Sequence, residues 1–390
     1  MRFISENERR ILALVAEKGA LTKGDLSAMG QMAWATVVKY VGRLQQEGVL
    51  VQAGTAPRAP QLGKNSYLYE LGAGAPRFLG VDIEYRAIRV AIVNLRRQIL
   101  WQTVFSTPQL GSEERFIAFV EQTIMQKVMS SAGVGDSGHQ SPYGSILGVG
   151  IGMPRWLLPE GRDAFSLLSD NLSERLSIPV RAENNIRAYT RFKEPRVRES
   201  DYLVVGVRNG IGVGLVLGGS LYRGEEGLAG EIGHIIVEEN GRACRCGKRG
   251  CLETVVNQHT LYEEFLEKIG QDKAEDITAT EAGLPGMFHR AARGNSAARS
   301  VLSEAAKPLG RALATLLLVL NVKNIYLVGH FGEDGDTWLD DISDVVRRNV
   351  DPHLNFRIHY RPIEDEGYLL GAAMLVSREY LDYSVLGEEY

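Results

Sequence analysis

The most constraining feature of this sequence is the segment CRCGKRGC at 244–251, which contains every cysteine of the 390-residue chain. Cys244, Cys246 and Cys251 must therefore lie close together, and His234 precedes them by ten residues. One imidazole nitrogen and three thiolates make up the donor set of a closed, four-coordinate structural zinc site. We predict that these four residues bind a structural Zn²⁺ ion.

The composition of the same loop supports this prediction. Free cysteines are usually buried among apolar residues, whereas this loop is rich in glycine and arginine. Gly247 and Gly250 allow the tight turns that aim successive sulfur atoms at one point. The alternative is a polar loop that carries three reduced thiols and no metal.

Composition and hydropathy predict a globular protein without membrane insertion. Hydrophobic residues make up 44% of the chain and charged residues 24%, as in ordinary soluble proteins. The longest apolar stretch, at 313–322, is too short to cross a bilayer, and the first residues lack the apolar core of a secretory signal. Together with the small cysteine count, these features lead us to expect a cytoplasmic protein.

The N-terminal region has the element pattern of a winged helix-turn-helix domain. Ser5 with Glu8, and Thr22 with Asp25, form two capping boxes that each begin a helix. A third helix is predicted at 33–47 from its apolar spacing. Two β-rich runs follow, and the long loop between them is rich in Gly, Pro and basic residues, which predicts the hairpin of a wing.

In a winged helix the third helix enters the DNA major groove and the wing contacts the backbone. We therefore predict that residues 1–72 bind operator DNA. The first 71 residues carry nine Lys/Arg and six Asp/Glu, in a chain whose net charge is −4, and a basic region favours DNA. The alternative is a small helical domain for dimerisation or protein contact. The predicted DNA-binding residues are Trp34, Thr36, Lys39 and Arg43 on the third helix and Arg58 and Lys64 on the wing.

The rest of the chain is organised as two α/β halves of related plan. Three successive strands are predicted at 77–105, and comparable strands at 201–224 and 325–332. An amphipathic helix is predicted at 113–131, and a Gly/Ser/His-rich linker then leads to a buried strand, SILGVGIGMP. Two facing lobes would enclose a cleft, which is a common place for a ligand. A generic two-domain α/β enzyme has the same pattern.

The segment GLAGEIGHIIVEENGRACRCGKRGCLET, at 227–254, closely resembles the signature of the ROK family of repressors, open reading frames and sugar kinases. The resemblance runs from about Phe78 to the C-terminus and is greatest to the repressor branch, which includes the N-acetylglucosamine and xylose operon regulators. It implies a two-lobed actin/hexokinase-like (ribonuclease H-like) α/β body with zinc in the second lobe. We expect a first lobe at 77–198, completed by a C-terminal helix at 367–383, and a second lobe at 199–366.

The resemblance also implies which residues bind a sugar. They are Asn184 and Asn185 in AENN, Glu231 and His234 in EIGH, and Glu253 in CLE. Carboxylates and amides suit sugar hydroxyls, which both donate and accept hydrogen bonds. His234 can bind zinc through one ring nitrogen and present the other to a hydroxyl. The alternative for each carboxylate is a solvated surface charge.

Two departures from the kinases of this family predict a protein that is not an enzyme. Where those kinases have a general-base Asp, this chain has Asn185, whose amide takes up no proton at neutral pH. Where they have a glycine-threonine turn near the ATP phosphates, this chain has IEYR after Asp82, and Glu84 adds negative charge there. The segment at 328–334, VGHFGED, is altered in a similar way. Arg86 is able to compensate Glu84, so weak nucleotide binding stays open.

These observations predict a sugar-responsive transcriptional repressor, active as a homodimer or tetramer. Its affinity for operator DNA would change when a sugar or sugar phosphate binds. Arg155, where the family usually has Gly, either favours a phosphorylated or acidic sugar or points to solvent. The alternatives are a ROK-type ATP-dependent sugar kinase with an accessory DNA-binding domain, and a regulator whose effector is another protein.

Overall fold

The structure is a computed structural model that describes most of the chain in two compact units. One unit comprises Met1–Phe192 with Tyr368–Tyr390, and the other comprises Lys193–Gly367. Arg58, Lys64, Arg86, the linker before SILGVGIGMP and most of the helix predicted at 113–131 lie outside the described residues. The described residues are 5–56, 66–84, 87–106, 118–120, 122–123, 146–155, 164–193, 199–270, 282–362 and 365–381.

The N-terminal domain consists of three helices and a small antiparallel sheet. Its elements are α1 (Glu6–Lys18), β1 (Leu21–Thr22), α2 (Lys23–Met29), α3 (Trp34–Gln46), β2 (Leu50–Thr55) and β3 (Tyr67–Leu71). The sheet has the strand order β1-β3-β2. Three helices followed by a hairpin are the predicted winged helix-turn-helix plan.

Both predicted capping boxes are present. The Ser5 hydroxyl accepts a hydrogen bond from Glu8 N at 3.3 Å, and the Glu8 carboxylate accepts one from Ser5 N at 2.8 Å. Thr22 and Asp25 repeat this pair of bonds at the start of α2, at 3.1 and 2.9 Å. Each box satisfies two backbone N–H groups that a helix start otherwise leaves without partners.

The first unit contains a mixed five-stranded sheet with two antiparallel and two parallel strand pairings. Its strands are β4 (Arg77–Ile83), β5 (Ala87–Asn94), β6 (Ile99–Ser106), β7 (Ile146–Met153) and β8 (Val180–Asn184). The order is β6-β5-β4-β7-β8, in which β4 pairs antiparallel with β5 and parallel with β7. Helices α4 (Ala164–Leu176) and α5 (Asn185–Lys193) flank β8 in sequence.

The C-terminal helix, Asp365–Tyr380, packs directly on β4 and β7. A Cβ atom added to Gly80 would collide with the carbonyl group of Leu369, and one added to Gly150 would collide with that of Ala372. Glycine is needed at both positions because the helix backbone lies against the strand backbone.

The second unit contains a sheet of the same topology. Its strands are β9 (Tyr202–Val207), β10 (Ile211–Leu217), β11 (Ser220–Tyr222), β12 (Asn324–Gly329) and β13 (Arg357–Pro362), in the order β11-β10-β9-β12-β13. Its helices are α6 (Leu252–Val255), α7 (Gln258–Ile269), α8 (Gly283–Ala292), α9 (Ser296–Leu320) and α10 (Leu339–Asn349). Strand for strand, the two sheets have the same order and directions, which confirms the related plan of the two halves.

The N-terminal domain is attached to the first sheet by backbone hydrogen bonds and by ion pairs. Gly74 N donates to Gly48 O at 3.1 Å in the connection between β3 and β4. The β5–β6 turn contributes Arg97, whose Nη2 is 3.4 Å from Glu17 Oε2 on α1. The connection is therefore a bonded contact as well as a covalent link. In the part of the chain that the structure describes, no helix is long and apolar enough to cross a membrane.

Candidate functional site

The four predicted metal ligands lie together in the second unit. The ligand atoms of His234, Cys244, Cys246 and Cys251 all lie within 4.8 Å of one another. Cys246 Sγ is 3.6 Å from Cys251 Sγ, and Cys244 Sγ is 3.6 Å from His234 Nδ1. A tetrahedral ion with Zn–S near 2.3 Å and Zn–N near 2.0 Å separates its ligand atoms by about 3.5–3.8 Å. The cluster therefore has the donors and the spacing to hold one tetrahedral metal ion.

The backbone of the cysteine loop is fixed by a tight turn. Ala243 pairs with Arg249 across the turn as an isolated β-bridge. Gly247 and Gly250 both adopt positive φ, at 85° and 72°. A Cβ atom on Gly250 would also collide with the carbonyl group of Glu238. Gly250 thus meets two requirements that only glycine fulfils, which confirms its predicted role in the turn.

Without a bound metal, the three thiols differ in the direction in which their pKa values are shifted. Burial raises the pKa of the Cys244 thiol, and its hydrogen bond to Glu253 Oε1, at 3.0 Å, acts in the same direction. Burial likewise raises the pKa of Cys251. Burial also acts to raise the pKa of Cys246, but the backbone N–H of Lys248 and the neighbouring thiols lower it overall. Because metal ligands are thiolates, metal binding would release protons from Cys244 and Cys251.

Two carboxylates flank the imidazole of His234 on its two nitrogens. Nδ1, which faces Cys244, is 3.7 Å from Glu253 Oε1, and Nε2 is 3.9 Å from Glu231 Oε2. All three side chains of this group are partly exposed. The structure therefore brings together the sugar-binding residues predicted for the second unit, beside the metal cluster. An accessible set of donors and acceptors of this kind suits a ligand with several hydroxyls.

Glycines make the space that Glu253 occupies at the start of α6. A Cβ atom on Gly210, in the β9–β10 turn, would lie 2.8 Å from Glu253 Oε2. One on Gly233 would collide with the carbonyl group of Ile211 and lie 3.4 Å from Glu253 Cβ. Neither glycine was predicted as part of the site; the signal for Gly210 in the sequence is the RNGIG segment between two predicted strands.

Asn184 and Asn185 lie in the first unit, where β8 ends and α5 begins. Ile186 N donates to Asn184 Oδ1 at 3.0 Å and to Asn185 Oδ1 at 2.9 Å. Glu183 Oε1 accepts from Asn184 N at 2.8 Å and from Arg187 Nε at 2.9 Å, and this ion pair is buried. The ion pair, which the sequence analysis missed, fixes the backbone that carries both asparagines.

The model of the ROK family matches residues 78–379. The chain belongs to the ROK family. A putative xylose repressor of Caldicellulosiruptor sp. (strain Rt8B.4) is 24% identical over 404 residues and covers 97% of this chain and 96% of its own length. A glucokinase of Halalkalibacterium halodurans is 25% identical over 327 residues and covers 77% of this chain and 95% of the kinase.

Among solved structures, a ROK family transcriptional regulator described as a homolog of the E. coli MLC protein matches with a TM-score of 0.70 and 20% identity. The match covers 98% of this chain and 98% of that regulator. At this level of identity it establishes the fold. The predicted two-lobed ROK body behind a winged helix-turn-helix domain is thereby confirmed.

In this ROK body the turn after β4 is filled by a charged group. Arg89 Nη1 lies 3.3 Å from Asp82 Oδ2 and 3.4 Å from Glu84 Oε2, and Asp82 is fully buried. Arg86, which we considered as the cation for Glu84, lies outside the described residues. Arg89 supplies that charge from the neighbouring strand.

The segment at 328–334 has roles in packing and in a surface ion pair. Phe331 is buried, and its ring stacks on Phe288 at 4.7 Å and on Tyr360 at 5.6 Å between centroids. Asp334 Oδ2 lies 2.9 Å from His289 Nδ1 at the surface. The aromatic and the acid that distinguish this segment therefore both have partners inside the second unit.

The structure describes all four DNA-binding residues predicted on α3. Trp34 and Lys39 are exposed and Thr36 is half-buried. The Lys39 ammonium group lies 5.4 Å from the centre of the Tyr40 ring. These three residues are accessible to a partner along the outer side of the helix.

Arg43, the fourth predicted residue, also stabilises the domain. Its Nε lies 3.6 Å from Glu8 Oε1 and 3.6 Å from Glu47 Oε1. The Glu8 side chain is almost completely buried, and a buried carboxylate requires a compensating cation or hydrogen bonds. Arg43 therefore links α3 to the capping box of α1.

Proposed function

We propose that this chain is a DNA-binding repressor whose affinity for operator DNA changes when a sugar binds. The observation that carries the proposal is the combination of a winged helix-turn-helix domain and a ROK body in one chain. The putative xylose repressor is similar along 97% of the chain, whereas the glucokinase is similar along 77%. The combination supports a regulator better than a kinase.

The sugar-binding residues that we propose are those of two groups, one in each unit. In the second unit they are Glu231, His234 and Glu253, which surround one imidazole. In the first unit they are Asn184 and Asn185. Carboxylates accept hydrogen bonds from hydroxyl groups, and amides both donate and accept them. Arg155 is half-buried.

We propose Zn²⁺ as the metal of the Cys3His cluster. Three sulfurs and one nitrogen in a tetrahedral arrangement suit zinc, and four protein ligands leave no position for a substrate. When bound, the ion would supply a rigid cross-link between the cysteine loop and His234. Cys244, Cys246, Cys251 and Nδ1 of His234 would hold it, and Nε2 would remain directed toward Glu231 and a sugar hydroxyl.

We further propose that the sugar is bound without being phosphorylated. Asn185 has no carboxylate to accept the hydroxyl proton, and its Oδ1 already accepts the N–H of Ile186. A general base contributes about 10²–10⁴-fold to such a reaction. Asp82, Glu84 and Arg89 together carry one net negative charge, which is unfavourable for an ATP phosphate group at the turn after β4.

In a homodimer or tetramer, sugar binding would change the conformation that presents the two winged helices to DNA. Typical coupling free energies of about 1–3 kcal/mol change affinity by about 5–150-fold, which is sufficient for a switch. The expected result is a lower affinity for DNA in the presence of the effector sugar.

Fluorescence anisotropy with duplexes from the region upstream of the gene tests this proposal. The dissociation constant is measured without sugar and with each member of a panel of sugars and sugar phosphates. An unchanged constant across the panel contradicts the sugar sensor, and absence of DNA binding contradicts the repressor. Native mass spectrometry of the same samples would count zinc ions, bound sugars and subunits.

The similarity to a glucokinase supports one competing function, an ATP-dependent sugar kinase with an accessory DNA-binding domain. That function requires ADP release on addition of sugar and Mg-ATP, and Asn185→Asp would increase any trace of it. A protein effector is a further alternative. It predicts that sugars leave DNA affinity unchanged while a partner is retained from cell extract by the immobilised regulator.

A further inference from the structure

The outer side of α3 carries an apolar strip near its N-terminal end. Trp34 and Val38 are 58% and 39% exposed, and Ala35 between them is exposed as well. Residues three and four apart lie on the same side of a helix, so Val38 neighbours both Ala35 and Trp34 and the three side chains form one continuous surface. The inward side of α3 is separate and packs in the domain core through Val37 and Val41.

The same side of α3 has few groups that recognise bases by hydrogen bonds. Arginine or lysine is the usual partner of guanine in the major groove, and asparagine or glutamine that of adenine. The helix sequence WATVVKYVGRLQQ contains no asparagine, and its single arginine, Arg43, is engaged with Glu8 and Glu47. Lys39 is its one lysine, exposed beside the apolar strip. The two glutamines are at the opposite end from the apolar strip.

We propose that α3 recognises thymine bases through their 5-methyl groups, which contact Trp34, Ala35 and Val38. The inference rests on the proposed DNA-binding function and specifies what that interface binds. The thymine methyl is the apolar group that base pairs present in the major groove, and apolar side chains are its usual partners. The excess of basic residues in the first 71 positions supplies the attraction to the phosphates that every duplex offers.

Phosphate contacts and methyl contacts should affect DNA affinity in different, measurable ways. Phosphate contacts determine the salt dependence of affinity but carry no sequence information. Loss of a methyl contact should therefore weaken binding to thymine-containing sites while the slope of affinity against salt concentration stays the same.

The test begins with duplexes that the full-length protein selects from a random pool. Each thymine of a selected site is then replaced by deoxyuridine, which removes the methyl group and leaves all hydrogen-bonding groups in place. Each contacted thymine should lose about three- to fivefold in affinity, as expected for one buried methyl group. Deoxyuridine outside the protected region serves as the control and should have no effect.

Val38→Ala and Val51→Ala provide a matched pair of variants. Both valines are 39% exposed in the N-terminal domain, but Val38 is on α3 and Val51 is on β2. Val38→Ala should abolish the sensitivity to deoxyuridine at one position of each half-site, whereas Val51→Ala should retain it.

The outcomes separate this inference from the proposed function. Binding of selected duplexes that is indifferent to deoxyuridine at every position would overturn methyl recognition and leave the repressor intact. Failure of the wild-type protein to select any duplex would overturn both. The deoxyuridine series uses the wild-type protein, so its result does not depend on the folding of a variant.

Discussion

The first hairpins of the two sheets occupy equivalent positions in the fold but differ in chemistry. In the first unit, the β4–β5 hairpin holds Asp82, Glu84 and Arg89 in one charged group. In the second unit, the β9–β10 turn contains Gly210, whose missing side chain leaves room for the Glu253 carboxylate. The β4–β5 turn is occupied by two carboxylates and the guanidinium of Arg89, which compensates them in part. The β9–β10 turn instead leaves space for the carboxylate of Glu253, which comes from α6.

The difference shows that a repeated backbone plan fixes positions and not chemistry. Both turns connect the central strand of a sheet to its antiparallel neighbour. Their functions depend on the side chains that each turn carries or omits, as is general for sites built on common folds. In this protein the group that suits a polar ligand, His234 with Glu231 and Glu253, lies beside the second turn. Changes in the two units should therefore affect different properties.

The largest effect is expected from removal of the metal cluster. Cys251→Ser replaces a fully buried ligand and should abolish zinc binding and sugar response. The free energy of unfolding should fall by about 4 kcal/mol or more, because loss of a structural metal is among the most damaging changes. Metal content by native mass spectrometry and thermal unfolding measure both effects.

Hydrogen exchange of the Cys251→Ser variant would show whether the loss of stability is confined to the second unit. Protection should be lost around residues 232–256 and retained in β4 and β7. Lys248→Ala, in the same loop but outside the ligand set, is the control and should retain the metal. Equal loss of protection in both sheets would show that the cluster stabilises the whole chain and not one unit.

A smaller but still large effect is expected from Arg187→Met in the first unit. The variant removes the guanidinium that pairs with the buried Glu183 carboxylate, and breaking a buried ion pair costs about 3–5 kcal/mol. The double variant with Glu183→Gln should recover much of the stability, because no uncompensated charge then remains. Lys307→Met, in an exposed pair with Glu304, is the control. Urea unfolding provides the measurement, and a loss below 1 kcal/mol in Arg187→Met would contradict the importance of the pair.

The third prediction concerns the space at the second turn. In Gly210→Ala the added Cβ would lie 2.8 Å from Glu253 Oε2, so the carboxylate must move. Displacing one charged hydrogen-bond partner of a sugar should cost about 1.5–3 kcal/mol, or roughly tenfold or more in sugar affinity. Isothermal titration calorimetry with the effector sugar measures it. Gly42→Ala, where the new Cβ meets nothing within 4 Å, should bind the sugar normally; equal affinities in all three proteins would remove Glu253 from the sugar site.

Local patterns predicted much of the fold. The capping boxes at Ser5 and Thr22 use residues three apart, and the cysteine loop brings its ligands together within a few residues. Features that depend on packing between distant segments could not be predicted. Glu183 and Arg187 have the spacing of an ordinary exposed helical pair, and only the packing of the first unit makes them buried.

The same limit applies to the candidate sites. Arg43 was predicted to contact DNA because it lies on α3, but its ion pair with Glu8 joins residues 35 positions apart. Glu253 was predicted from the family resemblance, but the glycine that makes room for it, Gly210, is on a different element. The spacing of residues along the chain predicts contacts within one helix or turn. The contacts of Arg43 and Glu253 instead join two separate elements.

The smallest effect is expected at the second hairpin of the first sheet, β5–β6, which is equivalent to β10–β11 in the second sheet. The β10–β11 turn consists of Gly218 and Gly219, whereas the equivalent β5–β6 turn carries Arg96 and Arg97. Arg97 has a positive φ of 60° and pairs with Glu17 of the N-terminal domain. The first unit thus uses this turn to hold the N-terminal domain.

Arg97→Asn removes the charge with a residue that tolerates this backbone conformation. Exposed ion pairs contribute about 0.2–1 kcal/mol, so overall stability should scarcely change. The ratio of DNA affinities with and without sugar should fall by about 1.5- to fivefold, because part of the link between the ROK body and α1 is lost. Arg347→Ala, which breaks an exposed pair of the same 3.4 Å length in the second unit, should leave the ratio unchanged. An unchanged ratio in both variants would mean that the signal does not pass through the Arg97–Glu17 pair, which leaves the backbone connection at Gly74 and the pair of Arg96 with Glu70.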